Sequence, residues 1–453
     1  MPGPHDFSFS RRGGTRTTPL ADRAPSSRDE AAGQLRRGPG WHVQRCRLFA
    51  LLYPLLIIGC SNESSPPSGP AAAGDRSPSA AEAALPGYAT IQQGYTAPPR
   101  SSSLNWSLKT FPQGNWIVRT PGELGMSTSR LAAVAAFLGG EGFVARRGYQ
   151  VYTWGSTSRV TDIASSVKSI IGFLTVKAVQ TGKLSSLDSK VSVLEPRLNS
   201  INPNLDYKDK NITWKHLANM MSGYGITKKP GSYYDYSDYN VALWFDALLK
   251  AYRVSPSEVN SKLFRPHIAG PLRMQDNPDM QSCKAGNVGR ACMSVRDFAR
   301  WAHLMLNRGD WNGTRLISST NAALLVNPTS TQKVLKSSTP VAFGSTCTAA
   351  AMIAGQRDFG GGRCQHDRNY GGAYHHGFWL NKKSDGSLRF SNAPANLFHT
   401  SGHRCSKRSI FVWPDLNLVI AFNNSRMDGF ADCESARRQL IDKVNAAVLY
   451  DDP

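Results

Sequence analysis

Ser165 and Lys168 stand three residues apart at the head of the apolar run Ala164-Ser165-Ser166-Val167-Lys168-Ser169-Ile170-Ile171-Gly172-Phe173-Leu174. Side chains three apart share one face of a helix, so the lysine amine can meet the serine hydroxyl. A bare hydroxyl is a weak nucleophile that an adjacent base activates, and a helix N-terminus favours developing negative charge. The chemistry this pairing offers is covalent acyl transfer, with Ser165 as nucleophile. The same spacing recurs at Ser330-Thr331-Gln332-Lys333, after Asn327-Pro328-Thr329 in a polar stretch. Only behind Ser165 do apolar residues (Ile170, Ile171, Leu174, Ala178, Val179) recur at helical spacing.

A serine and a lysine need a second proton-transfer group. The loop Pro230-Gly231-Ser232-Tyr233-Tyr234-Asp235-Tyr236-Ser237-Asp238-Tyr239-Asn240 offers tyrosines. A tyrosine acts as a base only where nearby cations lower its pKa, so one set against Lys168 would suit. The same loop also reads as ordinary aromatic packing.

The surrounding pattern supplies elements to hold these groups. Ser127-Thr128-Ser129-Arg130 opens a helix over Leu131 to Leu138, which Gly139-Gly140 ends. Phe143 to Gly155 reads as two strands around a glycine turn that hands the chain to Ser165. After Thr181-Gly182-Lys183-Leu184, a short helix is expected from Thr213 to a stop at Gly223. From there to about residue 325 the signals are mainly helical, as over Val295 to Leu306, and read as a helical insertion. Strands return at His376 to Leu380, Ser409 to Trp413 and Leu416 to Phe422, and residues 434–450 form an amphipathic helix.

The 453 residues carry a formal net charge of +21. The lysines and arginines are scattered without interleaved aromatics, which argues against nucleic acid as a partner. Attraction to an anionic cell-surface polymer or lipid headgroup is a better use of the charge. Arg45-Cys46-Arg47 precedes a short apolar core ending Ile57-Ile58-Gly59-Cys60, an export signal too short to span a bilayer. Its end resembles the bacterial lipobox, which makes Cys60 the lipidated anchor. The domain is then expected in the periplasm or at the cell surface, held to a membrane. The long head before Arg45 suggests a start downstream of Met1. Residues 1–60 are thus a disordered head with a lipoprotein signal peptide, 61–110 a flexible linker, and 111–453 the catalytic domain.

Outside the cytosol thiols pair. Cys283, Cys292, Cys347, Cys364, Cys405 and Cys433 form an even set, and proximity favours pairing them in that order. No C-x-x-C pair is present, and the adjacent His375 and His376 would point apart in a strand, so no metal is expected.

In order, Ser165-Ser166-Val167-Lys168, then Thr213-Trp214-Lys215-His216-Leu217 with Ser222-Gly223, then Pro230-Gly231 leading to Tyr236-Ser237-Asp238-Tyr239-Asn240, resemble the serine beta-lactamase and penicillin-binding protein family. Order and spacing resemble its beta-lactamase-related esterase and amidase branch, which includes 6-aminohexanoate-dimer hydrolases. Cys292 to Arg300, Gly309-Asp310-Trp311-Asn312-Gly313 and His376-Gly377-Phe378-Trp379 extend the resemblance over roughly residues 115–450.

The resemblance implies an α/β, beta-lactamase-like fold: an antiparallel sheet flanked by terminal helices, with an inserted helical subdomain. It implies that Ser165 is acylated, that Lys168 activates it and that Tyr236 shares the proton transfer. Asp238 falls where the family has Asn or Asp at the substrate. The third motif is best matched by His403-Arg404-Cys405-Ser406, with His403 toward substrate and the Ser406 amide completing an oxyanion hole with that of Ser165. Cys405 replaces a glycine there and narrows the cleft unless a disulfide draws it aside. No cofactor is implied. The missing Lys-Thr-Gly favours a small ester or amide over penicillins. A beta-lactamase or D-Ala-D-Ala peptidase, and a catalytically silent lipoprotein binding cell-wall material, remain alternatives.

Overall fold

The computed structural model describes residues 95–101, 109–326, 347–361, 364–365 and 373–451. Cys60 and the Ser330 to Lys333 pattern lie outside them. Helices α1 (Thr128–Leu138), α2 (Lys168–Gln180), α3 (Trp214–Ala218), α4 (Asp238–Tyr252), α5 (Val295–Leu306), α6 (Ser319–Val326) and α7 (Cys433–Ala447) surround one large sheet. Its strands are β1 (Glu141–Arg146), β2 (Tyr149–Trp154), β3 (Tyr374–His375), β4 (Phe378–Leu380), β5 (Phe398–His399), β6 (Ser409–Trp413) and β7 (Leu418–Asn423).

The spatial order is β2-β1-β7-β6-β5-β4-β3, antiparallel throughout. The amino-terminal hairpin therefore joins the carboxy-terminal strands at the β1–β7 seam, from Glu141↔Asn423 to Arg146↔Leu418. Strand side chains alternate between faces. Val144, Phe411, Trp413, Leu418, Ile420 and Phe422 pack with Leu131, Val134, Leu440 and Val444 of the terminal helices. Phe143, Ala145, Ile410, Val412, Val419 and Ala421 point into the larger core on the opposite face. A one-residue slip would exchange these two sets, so burial on both faces fixes the register.

Helix α5 was expected within a helical insertion, yet it packs on β1, β6 and β7 and covers the second face. Its Val295, Phe298, Ala299 and Ala302 match the apolar alternation of the strands beneath, and this outweighs its position between helical segments in sequence. From Lys168 to Val176 every residue of α2 is buried, which places this helix inside the core.

The stretch His376 to Leu380, read as one strand, is the second half of a hairpin. His376 at φ 46° and Gly377 at φ 88° form the left-handed turn between β3 and β4. His376 thereby leaves the strand path, and the His375 and His376 rings lie 4.2 Å apart instead of on opposite faces. This turn meets α2 backbone to backbone. A Cβ on Gly172 would stand 2.1 Å from the His376 carbonyl oxygen, and one on Gly377 would stand 2.2 Å from that of Lys168.

Ordered contacts begin upstream of residue 111. Tyr95 N donates to Ser391 O at 2.8 Å, Asp451 N to Pro99 O at 3.0 Å and Thr110 N to Arg147 O at 2.9 Å. Cys283 pairs with Cys292 and Cys405 with Cys433, both as proximity favoured. Cys347 is also in a disulfide, while the Cys364 side chain lies outside the description.

Candidate active site

Ser165 sits in a 3₁₀ turn, Ala164–Val167, that leads directly into α2. Residues three apart in such a turn are nearly eclipsed, which aligns Ser165 with Lys168 more closely than an α-helix would. Lys168 Nζ donates to Ser165 Oγ at 2.7 Å. The lysine is buried to 1% exposure, so its ammonium has lost its hydration. Burial pulls its pKa from 10.5 down to about 7, with the nearby Arg290 acting in the same direction. Asp238 and Asp162 oppose the fall without reversing it.

Tyr236 and Asp238 arrive from the loop ahead of α4. Tyr236–Ser237 pairs with Cys364–Gln365, and the Ser237 hydroxyl caps α4 by accepting from Asn240 N at 3.3 Å. Lys168 Nζ lies 4.7 Å from the centroid of the Tyr236 ring and 5.9 Å from that of Phe359. Asn240 acts as a clamp: Ser222 Oγ donates to its Oδ1 at 2.6 Å, and its Nδ2 donates to Leu217 O at 2.9 Å. The Thr213 to Gly223 segment and the Tyr236 to Asn240 loop are therefore tied together through the buried Asn240. The edge of Tyr374 on β3 meets the Tyr236 ring, with centroids 5.8 Å apart.

The structure brings Ser165, Lys168 and Tyr236 together, with Asp238 near enough for its charge to act on Lys168. The side chains of His403 and Ser406 are engaged elsewhere. His403 is exposed and bonds Asp428 through Nδ1. Ser406 Oγ accepts from Arg437 Nε of α7 at 3.0 Å. Cys405 lies in the apolar layer beneath the terminal helices, tied to Cys433, so its side chain is drawn aside as a disulfide there would require. The segment follows β5 as a turn and does not run as a strand beside Ser165, because its polar groups find partners in Asp428 and α7.

The groups that touch the nucleophile turn flank that segment. Ser166 Oγ donates to Arg408 O at 2.7 Å and Thr400 Oγ1 donates to Ser166 Oγ at 2.8 Å. Gly402 pairs with Arg408, and a Cβ on it would stand 2.3 Å from the Ile163 carbonyl oxygen. The glycine that admits the turn is thus Gly402, three residues before Cys405. Its signal in the sequence is the small-residue triplet Thr400-Ser401-Gly402. Arg290 and Asp162, which also face Lys168, carried no sequence signal because their pairing joins residues 128 positions apart.

A sequence model of the beta-lactamase family matches residues 123–443. No curated protein matches the chain. Similar solved structures include a candidate beta-lactamase of Bacteroides dorei, 13% identical over 71% of this chain and 99% of that one, TM-score 0.49. A candidate 6-aminohexanoate-dimer hydrolase of Bacillus anthracis is 14% identical over 79% and 92%, TM-score 0.48. A penicillin-binding protein homologue of Caulobacter crescentus is 14% identical over 71% and 99%, TM-score 0.46.

Proposed function

The chain belongs to the beta-lactamase family, whose members are serine hydrolases, and from that premise we propose that it cleaves a small ester or amide through an acyl-enzyme on Ser165. The observation that carries this reading is the buried Lys168 amine 2.7 Å from Ser165 Oγ, with its pKa drawn to about 7. Near neutrality a large fraction of such an amine is unprotonated and can take the serine proton.

Ser165 Oγ attacks the substrate carbonyl carbon while its proton passes to Lys168. The tetrahedral oxyanion accepts from the Ser165 amide, which opens a helical turn and has no helical acceptor, and from a second amide of the Thr400 to Arg408 stretch. Collapse expels the alcohol or amine, which leaves with a proton returned through Lys168 and Tyr236. Water then attacks the acyl carbon and gives its proton to the same pair, which passes it to Ser165 Oγ as the acyl C–O bond breaks, releasing the acid and free Ser165. Asp238, at the first turn of α4 with its charge acting on Lys168, is assigned to the substrate side by the family resemblance. The absent Lys-Thr-Gly supports esters and small amides over penicillins. Export and anchoring through Cys60 belong to the same proposal, resting on the Ile57 to Cys60 pattern.

Stopped-flow acylation with p-nitrophenyl esters and with a penicillin tests the reading. A burst of p-nitrophenol at one equivalent per Ser165, lost in Ser165→Ala, is expected. Penicillin acylating faster than every ester would overturn the substrate class, and neither burst nor steady turnover with any substrate would return the chain to a silent binding role.

A further inference from the structure

The residue before the nucleophile is held in a costly conformation. Ala164 has φ 51°, a left-handed position that a residue with a Cβ occupies only when its surroundings enforce it. Its amide donates to Asp162 Oδ1 at 2.8 Å. That carboxylate is itself gripped. Arg290 donates to Asp162 Oδ2 through Nη2 at 2.5 Å and to Oδ1 through Nε at 3.3 Å. Arg408 Nη1 donates to the Asp162 backbone carbonyl at 2.6 Å. The backbone is fixed from the same side: Asp162 stands opposite Cys292, and Ile163 N donates to Ala291 O at 2.9 Å.

The clamp also reaches the base. Arg290 Nη1 lies 3.5 Å from the Phe359 carbonyl oxygen, and its guanidinium is 6.0 Å from the Phe359 ring centroid, which Lys168 Nζ also approaches to 5.9 Å. The charged groups acting on Lys168 are Asp238 from α4, Arg290, and Asp162, with the Tyr236 ring beside the ammonium.

We propose that Asp162, clamped by Arg290 and Arg408, is a positioning residue that holds the Ala164 turn in its left-handed form and so sets Ser165 against Lys168. It touches neither substrate nor reacting atoms. It acts by accepting the Ala164 amide, and the arginines act by keeping the carboxylate where that amide needs it. The inference rests on Ser165 being the nucleophile, as proposed above.

The test measures the rate of covalent labelling by a fluorophosphonate across pH, using the full chain. Wild-type labelling at Ser165 establishes the nucleophile separately; wild type with no adduct defeats the functional reading, whatever the variants do. Asp162→Ala removes the acceptor and should slow labelling roughly a hundredfold, the scale of a small misplacement of a reacting group. Asp162→Asn can keep one acceptor oxygen for the Ala164 amide but loses the acceptor that Arg290 Nη2 holds, so it should recover part of the rate and label faster than Asp162→Ala. The pH profiles should move in opposite directions. Asp162→Asn removes a group that favours the protonated lysine, so the acidic limb shifts to lower pH. Arg290→Gln removes one that disfavours it, so the limb shifts to higher pH. Asp162→Ala labelling at the wild-type rate, or Asp162→Asn as slow as Asp162→Ala, overturns the proposal. If Asp162→Ala does not fold, Arg290→Gln decides: releasing the carboxylate should slow labelling on the pH-independent plateau, and a plateau at the wild-type rate refutes the proposal.

Discussion

Replacing Lys168 by Met should make the protein inactive and more stable at neutral pH. In the folded chain the lysine pKa is drawn from 10.5 to about 7, while in the unfolded chain it keeps its ordinary value. That difference amounts to about 5 kcal/mol against the folded state, at about 1.4 kcal/mol per pKa unit. The sign follows from proton binding. Between pH 7 and 10.5 the unfolded chain holds a proton that the folded chain lacks, so stability rises with pH across that window. Below about pH 7 both states are protonated and the full penalty is present. Lys168→Met keeps the length of the side chain, removes the charge, and gives up a hydrogen bond to Ser165 worth about 1 kcal/mol. The net gain should be about 3–4 kcal/mol at pH 6–7 and should vanish toward pH 10.5. Hydrolysis should fall by about 10²–10⁴. Urea unfolding of wild type and variant at pH 6, 7, 8 and 9 reads the difference directly. A variant less stable than wild type at pH 6, or a difference that stays constant with pH, would refute the reasoning, since neither is compatible with a desolvated lysine.

Other expectations follow from the same geometry. Wild-type kcat/KM should rise through an acidic limb near pH 7, and a limb that persists at that pH in Lys168→Met would assign it to another group. Tyr236→Phe should slow acylation or deacylation about a hundredfold while leaving the melting temperature within a few degrees, as single-turnover kinetics and calorimetry can show. Gly402→Ala places a Cβ 2.3 Å from the Ile163 carbonyl and should cost at least about 2 kcal/mol together with most activity; full activity would remove Gly402 from the site. Cutting the Cys405 to Cys433 link by Cys433→Ala should lower stability by about 2–4 kcal/mol in chemical denaturation, and an unchanged midpoint would count against its structural role.

Much of the scaffold was legible because its signals are local. The Gly139-Gly140 stop, the strands either side of Gly148, the two strands around Pro414-Asp415 and the closing helix all appear where periodicity and turn residues put them. Ser165 and Lys168 were legible for the same reason, being three residues apart in a helical context. What escaped depends on pairing across the chain. The role of α5 as the cover of the second sheet face is set by strands from both ends of the sequence. The hairpin at His376-Gly377 was hidden because its first turn position is not a glycine and the apolar run Phe378 to Leu380 follows without a break. Cys405 drew attention away from Gly402 because a motif read without the sheet has no register. Asp162 and Arg290 become neighbours only when Thr161–Asp162 pairs with Cys292–Met293, which no window of sequence reveals.

The most direct measurement is intact mass and peptide mapping after incubation with a fluorophosphonate. A single adduct that maps to Ser165 is expected on wild type, persisting in Ser330→Ala and disappearing in Ser165→Ala. A stoichiometric adduct on Ser165→Ala, mapped to any other residue, would contradict Ser165 as the nucleophile.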